Sequence, residues 1–182
     1  QIENTLLCGF ADAVPEAAAR AAAEHGGSAY PSVEALLADD AVEIVSVCVP
    51  NGLHAALAVR AMEAGKHVVL EKPMCISLAE CDAILNACER TGRRLAVISQ
   101  FRFDPLVRAF KAATDRGALG RPVIGNVTTN FYRTPEYYKQ AAWRGTWALE
   151  GGGALINQGI HGLDVVLYLL GGIKSVTAHA RT

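Results

Sequence analysis

The chain has 182 residues, 51% of them hydrophobic and 19% charged, with a formal net charge of -1. That composition can bury a core, and its balanced charge offers no footprint for nucleic acid or an anionic membrane. No apolar run approaches the ~20 residues needed to span a bilayer, and the opening QIENTLLCGFAD lacks the basic and apolar regions of a signal peptide.

At roughly 150 residues per domain, the length holds one domain, or one and part of another. The five cysteines, Cys8, Cys48, Cys75, Cys81 and Cys88, form no C-x-x-C pair. Their odd number suggests neither a disulfide framework nor a zinc site, so the expected compartment is a reducing cytoplasm.

In chain order, Thr5–Ala11 reads as a short strand, and Pro15 opens an Ala-rich helix closed by Gly26 and Gly27. Ser32 caps a second helix, VEALLAD. Glu43–Val49 is β-branched and almost continuously apolar, as a strand covered on both faces should be. A helix over Leu53–Glu63 follows, then a strand at His67–Leu70. Ser77-Leu-Ala-Glu80 is a capping box before a helix ending near Gly92, and Arg94–Ser99 is another strand. Strands alternating with helices at this spacing imply βαβ units and a parallel sheet, hence an α/β fold.

After Ser99 the pattern changes. Phe103–Gly117 reads as helix and Pro122–Arg133 as a long strand. Gly151–Gly153 precede a last helix, and Ser175–Ala180 reads as a final strand. The domain boundary is therefore expected near residue 100, giving domains 1–100 and 101–182, the second cut short.

Four places carry residues suited to chemistry. Asp12, just past the first strand, is placed either to bond the adenosine ribose of a dinucleotide or to cap the helix at Pro15. A ribose role would favour NAD, because a carboxylate repels the 2′-phosphate of NADP. The glycine fingerprint G-x-G-x-x-G is absent from these residues, so the nucleotide reading expects a strand and turn upstream of Gln1. Pro50, Asn51, Gly52 and His54 follow the buried strand EIVSVCV, where α/β sheets place ligands, though an ordinary strand-to-helix turn would look the same.

Glu71-Lys72-Pro73 follows the next strand. The proline holds Lys72 extended and aims its side chain, and a partly buried lysine can serve as acid or base; a surface loop lysine is the plainer reading. Finally, Asn157, His161 and Asp164 fall together on the last helix, beside an apolar stripe of Ile156, Ile160, Leu163, Leu167 and Leu170. His161 suits proton transfer near neutral pH, or is a structural histidine with Asn157 as a cap.

The run AGKHVVLEKP from Ala64 to Pro73, with GGGALINQGIHGLD from Gly151 to Asp164, VPNGLH and Arg102-Phe103, resembles the Gfo/Idh/MocA oxidoreductases. The resemblance implies a Rossmann-type parallel sheet lacking its first βα unit, followed by part of an α/β domain with an open sheet. It implies Lys72 and His161 as the catalytic pair, with Lys72, Asn157 and His161 on the substrate. It further implies Asp12, Pro50, Asn51, His54, Glu71, Lys72, Trp143 and Arg144 on the cofactor side.

The activity implied is hydride transfer between NAD, rather than NADP, and a secondary alcohol of a sugar, sugar acid, nucleotide sugar or cyclic polyol, in a homo-oligomer. Asn157 stands where many members have Asp, and an amide cannot take a proton. The alternatives are a non-catalytic dinucleotide or sugar sensor on the same fold, and an inactive fragment.

Overall fold

A computed structural model describes residues 3–179. The chain divides into two compact units whose boundaries interleave: the first holds residues up to 49, 53–71 and 77–96, the second 50–52, 72–76 and those from 97 on.

In the first unit the strands are β1 (Gly9–Phe10), β2 (Ser28–Ala29), β3 (Ile44–Val47), β4 (His67–Leu70) and β5 (Leu95–Val97). They form two sheets, β1-β2 and β3-β4-β5. The pairs β1–β2 and β3–β4 are parallel, with Gly9 opposite Ser28 and Val45 opposite Val68. Parallel pairs need crossovers, and helices supply them: α1 (Pro15–His25) joins β1 to β2, α3 (His54–Glu63) joins β3 to β4, and α4 (Leu78–Thr91) joins β4 to β5. The shorter helix α2 (Val33–Ala38) follows β2.

Local chemistry sets where these helices start. The Ser32 side chain accepts from Ala35 N at 3.1 Å, and Ser77 Oγ from Glu80 N at 3.3 Å, each satisfying an amide that the first helical turn leaves unpaired. α4 ends at Gly92 with φ 67°, a left-handed cap that glycine takes without a Cβ penalty.

The core lies where α3 and α4 cover β4. Ala58, Ala61, Met62, Val68, Leu70, Ile84 and Ala87 are all 2% exposed or less. Burying Met62, Leu70 and Ile84 contributes roughly 1.5–3 kcal/mol each.

A polar tie holds the rim. Asp39 receives the Tyr30 hydroxyl and the Ala41 amide, while Lys66 donates to the Asp39 carbonyl at 2.7 Å. The bond to Asp39 pushes the Tyr30 phenol up to about 12. The same bond, with the Ala41 amide, holds the Asp39 carboxyl below its usual value.

Two strand expectations are corrected here. The Thr5–Ala11 run pairs only at Gly9–Phe10. β3 is not covered on both faces: Val47 is buried, yet Ile44 is 57% exposed and Ser46 and Cys48 are exposed. Its apolar run reflects β propensity, and among the described residues only one face is packed.

In the second unit, a turn at Gln100–Phe103 leads to α5 (Pro105–Asp115), whose first amides, Leu106 N and Val107 N, are accepted by Asp104 Oδ1. The unit continues through α6 (Pro135–Lys139) and α7 (Ile160–Leu170). Arg102 grips Asp164 of α7 through Nε and Nη2, the Nε bond at 2.8 Å, a two-pronged pair with more geometric specificity than a single contact. This bond raises the Arg102 guanidinium above its ordinary pKa.

The long strand expected over Pro122–Arg133 does not form a ladder. Its β-branched residues favour extended backbone, but a strand also needs a partner, and no described segment pairs with it. Instead the run lies against α7, where Gly125 meets Leu170 and Gly162 meets Val127 and Thr129. Residues 175–179 likewise form no ladder, and Ala180 lies outside the described residues. The open sheet expected of this half is therefore absent among the described residues.

The last helix is not uniform either: Leu155–Gly159 takes a wide π-type turn before α7. That turn displaces Ile156 from the rest of the expected apolar stripe, and within α7 Leu163, Leu167 and Leu170 are 37–46% exposed.

Replacing Ile84 by Ala should destabilise the fold by about 2–5 kcal/mol through the cavity left behind, read as a lower denaturant midpoint. Tyr30→Phe should act through pH. A depressed Asp39 contributes stability above the unfolded carboxyl value of 3.8 and loses it as pH falls through the lower folded value. The raised Tyr30 contributes below 10.0 and loses it as pH rises through about 12. Thermal melts of Tyr30→Phe should therefore lose less stability than wild type at both extremes, and equal losses would remove this role.

Candidate active site

A continuous line of hydrogen bonds runs through the second unit. Asn51, 5% exposed, donates Nδ2 to the Glu150 carbonyl at 2.9 Å, and Gly52 N donates to the Leu149 carbonyl at 2.8 Å. The approach leaves no room for a side chain: a Cβ on Gly52 would sit 2.3 Å from the Ala148 carbonyl oxygen. The Glu150 carboxylate, 3% exposed, accepts Gly145 N on one oxygen and Asn157 Nδ2 on the other. Asn157 in turn receives Lys72 Nζ at its carbonyl oxygen, 2.8 Å, and at Oδ1, 3.1 Å.

This order determines which way the Asn157 amide points. A carboxylate only accepts, so the NH₂ end faces Glu150 and the oxygen end is left for the lysine. An aspartate at 157 would place two carboxylates together and disfavour charge on one of them. The asparagine carries the link from Lys72 to Glu150 without that cost. Lys72 stands just before a cis Lys72–Pro73 bond.

His161 lies four residues beyond Asn157, at the start of α7. It is half-buried, its ring 4.9 Å from the Phe101 ring centroid and tilted by 47°. Of the three adjacent glycines Gly151 is the most constrained: its φ is 83° and a Cβ there would meet Ile76 Cγ2 at 2.3 Å, whereas one on Gly152 would meet Ile156 Cγ2 at 3.1 Å and Gly153 faces open space.

Trp143 and Arg144 join an aromatic cluster. The Arg144 guanidinium lies 4.3 Å from the Tyr137 ring centroid and 4.9 Å from the Trp143 ring, and its Nη1 donates to the Tyr137 hydroxyl.

The second unit thus gathers Asn51, Lys72 and Asn157 into one bonded line and holds Pro50, Trp143, Arg144 and His161 as well. Asp12, His54 and Glu71 belong to the first unit, at or just beyond the carboxyl ends of β1, β3 and β4. Asp12 Oδ1 accepts the Val14 amide at 2.8 Å, ahead of α1. Among the described residues its other oxygen accepts no bond. His54 is fully buried, with Nε2 2.9 Å from the Val49 carbonyl oxygen, so it shapes the turn after β3. Glu71 extends β4, its amide bonded to the Val47 carbonyl at 3.0 Å.

Sequence reasoning missed two residues. Glu150 was hidden as a lone acid beside the glycine run; an acid preceding a tight backbone turn was the available signal. Arg133, at the end of the presumed strand, lines a small cavity of about 20 Å³ together with Tyr137, Glu150, Asn157 and Gln158. Among the described residues no group of three His, Cys, Asp or Glu side chains could hold a metal ion, and no helix is long and apolar enough to cross a membrane.

Residues 2–99 match the family model described as an oxidoreductase family with an NAD-binding Rossmann fold, and residues 107–182 match the GFO/IDH/MocA C-terminal domain. The chain is 31% identical to levoglucosan dehydrogenase of Pseudarthrobacter phenanthrenivorans over 93% of its own length and 44% of that protein's. It is 36% identical to an NADP⁺-dependent scyllo-inositol 2-dehydrogenase of Bacillus subtilis, covering 81% of this chain and 40% of that one. Among solved structures, the WlbA dehydrogenase of Bordetella pertussis in complex with NADH and UDP-GlcNAcA is similar with a TM-score of 0.85 at 34% identity. That match covers 91% of this chain and 47% of the other. The chain thus spans less than half the length of these relatives. It belongs to the Gfo/Idh/MocA family of NAD(P)-binding Rossmann oxidoreductases.

Proposed function

We propose that the protein is an NAD(P)-dependent dehydrogenase acting on a secondary alcohol of a sugar, sugar acid, nucleotide sugar or cyclic polyol. The observation that carries this reading is the Lys72 ammonium, fixed by two bonds to Asn157 one turn before His161. Loss of a hydroxyl proton needs a base to take it and a donor to hold the oxygen, and His161 and Lys72 are side chains of those two kinds.

The residues suit a dinucleotide. Asp12 keeps one carboxylate oxygen open beyond β1, an acceptor matched to ribose hydroxyls and repelled by a 2′-phosphate, which supports NAD over NADP. Pro50, Asn51, Glu71, Trp143 and Arg144 are the further candidates for its binding, with His54 acting through the turn it braces. When bound, the nicotinamide supplies the hydride chemistry, which no protein side chain can perform.

The protein's part is alignment and proton transfer. As an ammonium, Lys72 polarises the alcohol oxygen while His161 takes the proton as the carbonyl forms; Lys72 takes it in His161's place only as the neutral amine. Asn157 holds the lysine in place and leaves the proton to those two groups, since it cannot accept one itself. Five free cysteines among the described residues support a reducing, cytoplasmic setting. Exposed Val123, Ile124 and Tyr132, at 77–92%, support a homo-oligomer that covers them.

Lys72→Ala in the purified enzyme should lower turnover by about 10²–10⁴, followed by absorbance of the reduced nicotinamide across a polyol and sugar panel. Unchanged turnover would reject the role, and cofactor binding with no alcohol-dependent signal would indicate a sensor. Asp12→Ala should raise the KM for NAD by about 10-fold or more, the worth of a charge-assisted hydrogen bond, while leaving that for NADP unchanged or lower. An equal rise for both cofactors would place Asp12 in the helix start alone.

A further inference from the structure

Burying a carboxylate is costly unless it is paired or fully hydrogen-bonded. Glu150 is buried, and no ion pair of the described residues includes it. Its carboxylate instead accepts from two neutral donors, Gly145 N on one oxygen and Asn157 Nδ2 on the other.

A glutamine has nearly the same shape but one acceptor oxygen instead of two. With that oxygen on Gly145 N, its NH₂ would face Asn157, and the Asn157 amide would turn its own oxygen back to meet it. The Asn157 NH₂ would then point at the Lys72 ammonium, donor against donor. With the oxygen on Asn157, the glutamine NH₂ would oppose the Gly145 N–H. Only a group that accepts on both sides satisfies Gly145 and still leaves Asn157 Oδ1 for its 3.1 Å bond from Lys72. The Asn157 main-chain carbonyl holds the lysine whichever way the amide points, so the acid at 150 governs one of the two contacts. Asn157 itself lies in the π-type turn Leu155–Gly159, a distortion that recurs at functional sites.

We propose that Glu150 is a positioning residue for the reaction: its carboxylate sets the direction of the Asn157 amide and so aligns the Lys72 ammonium for the substrate oxygen. The inference rests on the dehydrogenase reading above, and it makes positions 150 and 157 a matched pair. Acid and amide can exchange places, because a glutamine at 150 donating to an aspartate at 157 presents the same acceptor to Lys72.

The test is a double-mutant cycle on the purified enzyme. Glu150→Gln should lower kcat by about 10–100-fold, the effect of losing a hydrogen bond to a charged group, with the cofactor KM unchanged. Asn157→Asp alone sets two carboxylates together and should also lower kcat. The double variant should recover most of the lost turnover. A second readout needs no turnover: reductive methylation of Lys72 by formaldehyde and cyanoborohydride, followed by peptide mass spectrometry. Only a free amine reacts, so Lys72 released from Oδ1 should label faster in Glu150→Gln and return to the wild-type rate in the double variant.

Unchanged labelling in folded Glu150→Gln overturns the proposal, as does unchanged kcat where wild type turns over. A double variant no better than the poorer single variant also overturns it. So does Asn157→Asp more active than wild type, since the aspartate would then act as a base by itself. Where Glu150→Gln does not fold, the folded double variant carries the test: labelling at the wild-type rate supports the pair, and faster labelling overturns it. Labelling that follows the cycle without nicotinamide reduction by wild type would sink the dehydrogenase reading alone. Nicotinamide reduction with equal labelling in all four proteins would sink this one alone.

Discussion

The site depends on a place where two stretches of backbone come too close for a side chain. Gly52 and Asn51, distant in sequence from residues 148–150, lie against them and donate into their carbonyls. That contact fixes Glu150, Glu150 orients Asn157, and Asn157 holds Lys72. Each link satisfies a buried polar group that would otherwise cost free energy on folding. The lysine is thus positioned through a chain of neutral and charged partners that begins at a glycine.

Charge follows the same logic. The asparagine at 157 bridges Lys72 and Glu150 without carrying charge itself, accepting from the one and donating to the other. The aromatic cluster of Tyr137, Trp143 and Phe131 stacks the arginines but gives them no counter-ion. The helices serve mainly to present these groups. Arg102 clamped on Asp164 fastens the turn after β5 to α7, and His161 lies on the first turn of that helix.

Much of the first unit was legible because local chemistry decides it. Ser32 and Ser77 act as caps where the sequence predicts them, and the apolar runs of β3 and β4 pair in parallel. Lys72 and Asn157 were readable as motif residues, although their mutual bond was not. What escaped depends on partners distant in the chain. The β-branched run 122–133 looks like a strand from propensity alone, yet pairing needs a neighbour. The wide turn at Leu155–Gly159 leaves no mark in hydrophobic spacing. Glu150 and Arg133 acquire meaning only through what the fold places beside them.

The unpaired run at 122–133 also divides the second unit by how well its backbone is shielded. The described structure gives its amides no backbone acceptor, whereas those of α7, directly beneath it, are held in helical bonds. In deuterated solvent the two layers should exchange on different timescales, the extended run almost at once and α7 only through opening events. A face in rapid exchange over one in slow exchange can adjust its fit to whatever settles on it while the helix carrying His161 keeps its place.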